Sequence, residues 1–154
     1  MTIPKRTYET MLKAEVFEAQ TAWAKHVTEK NIDQLLDLYD FGTSEAPLLF
    51  KPTLSDVIRL DRKATRSYFV GGDPNYPDDH GFLNPGWKSV DFNTSAGPIP
   101  TAGGGYMDMG KYTFIDEKDN NTEADYTFVY HKFDGCVRIA LHHSSLTWLP
   151  ADAV

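Results

Sequence analysis

The sequence predicts an α+β fold, a cone-shaped roll in which N-terminal helices pack on a curved, mostly antiparallel sheet. Three observations carry this. Apolar residues recur at helical spacing before Gly71 and alternate at strand spacing after Gly86. Helices therefore come first and strands last, which sets the helices on one side of an antiparallel sheet. Asp134-Gly135 is a two-residue hairpin signal that ties the last two strands together.

The elements follow in order. Residues 9–30 read as a helix, with Val16, Ala19, Trp23 and Val27 on one stripe and charges elsewhere. Residues 31–40, "NIDQLLDLYD", read as a second helix, started by a capping box of Asn31 and Gln34. "PLLFKP" at 47–52 is a short buried strand ended by Pro52, and "DVIRL" at 56–60 is a second short strand paired with it. Asp61 caps a helix over 62–70, and Gly71-Gly72 ends it. Residues 71–86 hold too many Gly, Pro, Asn and Asp for regular structure. Tyr76, Phe82 and Leu83 within them suggest a packed lid over a functional site. Strands follow at 87–94, 105–117, 123–133 and 136–148, with a turn rich in Pro and Gly after the first.

The chain of 154 residues fits a single domain spanning 1–154, long enough to bury a core without staples. Its formal net charge of −7, with no stripe of Lys or Arg, argues against a nucleic-acid partner. A lone cysteine, Cys136, excludes an intrachain disulfide and a cysteine-based zinc site. No apolar run approaches a membrane span and the first residues lack the apolar core of a signal peptide, so no membrane partner and a cytoplasmic location are expected.

Polar residues interrupt the last strand at "VRIALHHSSLTW", residues 137–148. Counting outward from Asp134-Gly135 in a regular hairpin, Phe128 faces Leu141, Tyr126 faces His143 and Ala124 faces Ser145. That face is apolar near the turn and is taken as the core face. His143 and Ser145 are thereby expected at the mouth of an apolar concavity, with His142 and Ser144 facing outward or into a subunit contact. Three uses of this polar stretch are open. A catalytic zinc wants about three protein ligands on one face, and His143 has leucine, not histidine, two residues before it. A serine with its base wants closer contact than two positions on one strand face, roughly 6–7 Å apart, provide. A hydroxyl-lined apolar pocket would draw Thr53, Tyr68 and Ser145 from three elements, but spacing alone does not bring them together.

Four motifs in order, "LLFKPT", "RSYFVGG", "DHGF" and "HHSSL", resemble the iota-class carbonic anhydrases. These are similar to the association domain of calcium/calmodulin-dependent protein kinase II and to the ketosteroid isomerase-like cone fold. The likeness runs from about Trp23 to Trp148. It implies reversible hydration of carbon dioxide, a homodimer, and a site inside the cone. It also implies that Thr53, Tyr68 and a serine of "HHSS", Ser144 or Ser145, hold bicarbonate, with Phe82 among the substrate-binding residues. Many members read "HHHSS", whose outer histidines share a strand face; Leu141 takes the first position here, which implies the metal-free kind with no cofactor.

Without a metal, bound water keeps a pKa near about 15.7 rather than about 7. Hydroxide is then not the nucleophile, and an oriented water must lose its proton as it attacks. By register His143 is the expected base, and the hydroxyls are expected to stabilise charge developing on the carbon dioxide oxygens. Two rival readings stand beside this one. One is a cone-fold isomerase or hydrolase acting on a small apolar substrate, with Asp108 as its carboxylate; the other is a non-catalytic association module.

Overall fold

The structure is a computed structural model and describes residues 6–42, 48–94 and 96–151. Three helices, α1 (Lys13–Thr28), α2 (Ile32–Leu36) and α3 (Arg62–Val70), alternate with or precede six strands. The strands are β1 (Leu49–Lys51), β2 (Trp87–Thr94), β3 (Ile99–Pro100), β4 (Tyr106–Asp116), β5 (Asn121–Phe133) and β6 (Cys136–Leu146). They form one sheet in the order β1-β6-β5-β4-β2, with β3 also on β4. Only β1 on β6 is parallel. The α+β roll with helices on a mostly antiparallel sheet is therefore the observed architecture.

The elements are shorter than expected where the backbone is used elsewhere. Glu9 N–H bonds Lys132 O and Met11 N–H bonds Gly104 O, so the chain is extended there and α1 starts at Lys13. Asn31 makes no capping bond; its amide instead reaches Glu29 and His26. Helix α2 ends early because Asp40 N–H is spent on Ile139 O. Pro47, the first residue of the expected 47–52 strand, lies outside the described residues. The expected 56–60 strand is reduced to one bridge between Arg59 and Phe50. Asp61 does cap α3, accepting from Ala64 N at 2.8 Å, and Gly71 ends it at φ 74°.

One face of the sheet carries the core. Trp23 from α1 stacks on Tyr112 and meets Phe92, Phe114 and Phe128 edge-on. Tyr68 and Phe69 from α3 join Phe50 and Phe82 in the same cluster. Among the described residues no helix is long and apolar enough to cross a membrane.

The hairpin turn is as expected: Asp134 and Gly135 have φ 50° and 73°, and Phe133 pairs with Cys136. The ladder beyond it is not. Tyr130 pairs with Ile139 but Val129 pairs with Leu141, leaving Ala140 as an extra residue in a β-bulge. Ile139 donates to Asp40's neighbour Leu38 O and accepts from Asp40 N–H, each at 2.8 Å, whereas Leu141, His142 and His143 pair with β1. The outer edge of β6 thus has two different partners, and the bulge falls where they change.

Candidate functional site

The bulge reverses the facing of the polar stretch. His142 and Ser144 are each 1% exposed and point into the core, whereas His143 is exposed and Ser145 is half-buried on the opposite face. The expectation that His143 and Ser145 line the interior is therefore corrected. Both sit instead beside a cavity on the outer face of the sheet, with Met109, Lys111, Asp125 and Thr127. From that face the His143 imidazole is separated by the sheet from the interior and is no base for a reaction there.

The interior brings together three of the expected hydroxyls, Thr53, Tyr68 and Ser144, and adds that of Tyr112. Thr53, in the turn after β1, lies 2.5 Å from Ser144 Oγ. Tyr68, on the buried face of α3, accepts from Leu54 N–H at 3.3 Å. Tyr112, on β4, donates to Ser144 Oγ. Phe82, from the 71–86 segment, meets the Tyr68 ring edge-on and walls the cluster.

The proton positions in this cluster follow from a donor inventory. An indole N–H only donates, and Trp23 Nε1 donates to Tyr39 Oη at 3.0 Å. The Tyr39 proton is left for its other partner, His142 Nδ1 at 2.9 Å. His142 thus carries its proton on Nε2, which donates to Tyr112 Oη at 3.1 Å. Tyr112 passes the sense on to Ser144, and Ser144 donates to Thr53 Oγ1. Every hydrogen bond in the chain runs from the core outward, and the free ends are the Thr53 and Tyr68 protons. Burial holds the His142 imidazole well below its usual pKa and keeps it neutral, and burial raises the Tyr68 and Tyr112 phenols well above theirs. At neutral pH the phenols stay protonated, so the cluster presents hydroxyl protons as hydrogen-bond donors. This suits an anion or a carbonyl-like oxygen.

Two cavities reach the cluster, and Leu54 lines both. One, of about 450 Å³, is polar, with Lys51, Thr53, Ser55 and Asp56 in its wall. Lys51 donates to the Ser144 carbonyl at 3.0 Å and brings a positive charge to the serine's backbone. The other, of about 230 Å³, is lined by Tyr68, Phe82, Pro85 and Trp87, with His80 and Asp79 beside them. The 71–86 segment is pinned over these cavities by a buried ion pair, Arg59 with Asp79, made through two bonds of 2.7 Å. Arg59 and the Ser67 hydroxyl together draw the Asp79 carboxyl below its usual pKa, against the opposing pull of burial. Tyr76 packs under the same guanidinium. The expected lid is thus a packed wall.

Asp108 faces the core too, at 3% exposed, but in a different cluster. One of its oxygens accepts from Gln20, Thr94 and Tyr126, and the other has no partner. Among the described residues no three His, Cys, Asp or Glu side chains gather as a metal-binding group.

Sequence reasoning found Thr53, Tyr68 and Phe82 through motifs but missed His142, Tyr112, Tyr39 and Trp23. The three aromatics read as core residues, since only tertiary structure shows which aromatic carries a partnered hydroxyl or N–H. Ser144 was named, but facing the wrong way.

Comparison with known proteins bears on what this site does. Residues 14–146 match the family described as metal-independent carbonic anhydrase. A metal-independent carbonic anhydrase from a Nostoc species is 34% identical over 158 aligned residues, covering 88% of this chain and 74% of that one. The crystal structure of the iota-carbonic anhydrase from a cyanobacterium complexed with bicarbonate superposes with a TM-score of 0.80 at 28% identity, over 97% of this chain and 99% of that one. A putative calcium/calmodulin-dependent protein kinase II association domain from Xanthomonas campestris superposes with a TM-score of 0.62 at 23% identity, over 94% of this chain and 98% of that one, and shares the fold.

Proposed function

This chain belongs to the metal-independent carbonic anhydrases, and on that premise we propose that it hydrates carbon dioxide reversibly at the Thr53, Tyr68, Tyr112 and Ser144 hydroxyls, without a metal. The observation that carries the reading is the outward polarity of the hydrogen-bond chain that starts at Trp23. It leaves hydroxyl protons aimed where negative charge develops when water adds to carbon dioxide. In that step a water oxygen forms a bond to carbon, one C=O pair moves onto oxygen, and the water loses a proton. Thr53 and Tyr68 hold the forming bicarbonate through donated hydrogen bonds. Ser144 orients Thr53, and Tyr112 orients Ser144. The apolar cavity beside Phe82 and Trp87 suits the small apolar substrate, and the polar one beside Lys51 suits the anion.

The test is carbon dioxide hydration by metal-stripped protein, with Ser144→Ala and Ser145→Ala compared. Ser144→Ala is expected to lose about a hundredfold in rate, because the Thr53 hydroxyl is then no longer oriented to donate to the forming anion. Ser145→Ala is expected to stay close to wild type. The reverse ranking would overturn the assignment, and an inactive stripped wild type would overturn the metal-free reading.

A homodimer and a cytoplasmic location belong to the same reading. Met107 and Met109, 43% and 57% exposed on the outer face of the sheet, support a subunit contact there. Sedimentation at twice the monomer mass is the expected result. The single cysteine, exposed and unpaired, fits a reducing compartment; fractionation of source cells would show the enzyme with the cytosol, and recovery elsewhere would refute that location.

A further inference from the structure

The hydration reaction releases a proton, and the hydroxyl cluster has nowhere to put it. Trp23 cannot reverse its N–H, so it pins the tautomer of His142, and His142 Nε2 is already protonated. The inner end of the chain is closed, and the proton must leave by the cavities. The polar cavity, walled by Lys51, Asp56, Arg59, Tyr76, Asp78 and Asp79, is the one that suits the anion, so the other is left for the proton. Around the apolar cavity the ionisable side chains are Tyr68, Asp78, Asp79 and His80. Tyr68 is buried and stays protonated. Asp79 is committed to Arg59 and Ser67, and those bonds keep it a weak base. Asp78 is a solvent-exposed carboxylate, a side-chain class that binds protons only in acid. His80 is exposed, and an imidazole is the side chain that takes up and releases protons near neutral pH.

Its backbone is held in place from both sides. Asp79 is anchored to Arg59, Phe82 N–H bonds Tyr68 O at 2.9 Å, and Asn84 Nδ2 donates to His80 O at 2.7 Å. His80 is thereby kept at the wall of the cavity that Tyr68 also lines, exposed to solvent. The cavity, about 230 Å³, has room for several waters at roughly 30 Å³ each.

We infer that His80 is the proton relay of this enzyme: it takes the proton released by the attacking water, through water in the Tyr68 cavity, and hands it to buffer. The inference rests on carbon dioxide hydration at the hydroxyl cluster. The proton lost as the O–C bond forms passes to a ring nitrogen of neutral His80, and the imidazolium then returns it to solvent base, so no other reactant is needed. His80 touches neither substrate nor the reacting carbon and acts only by taking up the proton that the attacking water loses.

The experiment is steady-state carbon dioxide hydration by wild type and His80→Asn in dilute buffer, with melting curves to verify folding. His80→Asn is expected to lower kcat and kcat/KM together by about a hundredfold, the lower end of what a positioned acid or base supplies. Added imidazole should restore kcat in the variant and leave wild type unchanged. A merely structural residue would not show rescue by imidazole. Equal kcat for both proteins in dilute buffer, or a loss that imidazole does not restore, would overturn the relay. An inactive wild type would instead overturn the carbonic anhydrase reading on which the relay rests.

Discussion

His142 decides the polarity of the site without touching the substrate. It lies between Tyr39 and Tyr112, under Trp23 and against Phe50 and Phe128, with its ring stacked on both phenylalanines. Burial disfavours its charged form, with nearby His143 adding to that. Its folded pKa therefore lies below that of the unfolded chain, and below about pH 6.5 the unfolded state binds the extra proton. Stability from this residue is complete above that pH and falls as the pH drops toward the folded pKa. His26 and His131 are lowered in the same direction. Denaturant midpoints measured from pH 7.5 to 5 should thus decline below pH 6.5, with a limiting slope of about 1.4 kcal/mol per pH unit for each such histidine. His142→Gln should flatten the decline. A decline of the same slope in that variant would show that the imidazole titrates freely and that the fixed tautomer is wrong.

At the scale of elements, the hairpin shows what the sequence can and cannot tell. The turn and the first pairs, Phe133 with Cys136 through Tyr130 with Ile139, follow from Asp134-Gly135 and alternation alone. The count fails at Ala140, because the cause is non-local: Leu38 and Asp40 claim the backbone of Ile139. One unread residue exchanged Ser145 for Ser144 and His143 for His142, though helix α3, which carries Tyr68, was placed correctly by Asp61 and Gly71. That the 71–86 segment is packed was legible from Tyr76, Phe82 and Leu83, but its anchor, Arg59 with Asp79, spans two elements and leaves no local pattern. That anchor has a measurable weight. The two side chains are 1% and 5% exposed, and removing one charge strands the other out of water. Asp79→Asn should cost about 3–5 kcal/mol in urea melts. A loss below about 1 kcal/mol, the weight of an exposed pair, would show that the segment does not depend on it.

For the whole molecule, the fold and the chemistry meet in a division of the sheet's two faces. The inner face joins an aromatic core to a line of hydrogen bonds that ends in hydroxyl protons, and the outer face carries the exposed methionines, His143 and Ser145. In the proposed reaction the forming bicarbonate is stabilised by donors that are already oriented, which costs no reorganisation during the reaction. Tyr68 is the donor whose removal disturbs the fold least, since Phe keeps the ring that Phe50, Phe69 and Phe82 pack against. The stability change should be on the order of 1 kcal/mol, while the barrier should rise by roughly 2.7–4 kcal/mol. The most direct measurement is the carbon dioxide hydration rate of metal-stripped Tyr68→Phe beside metal-stripped wild type, with melting curves for both. The expected result is an active wild type and a folded variant slower by about a hundredfold or more. A folded variant that hydrates carbon dioxide at the wild-type rate would contradict the account.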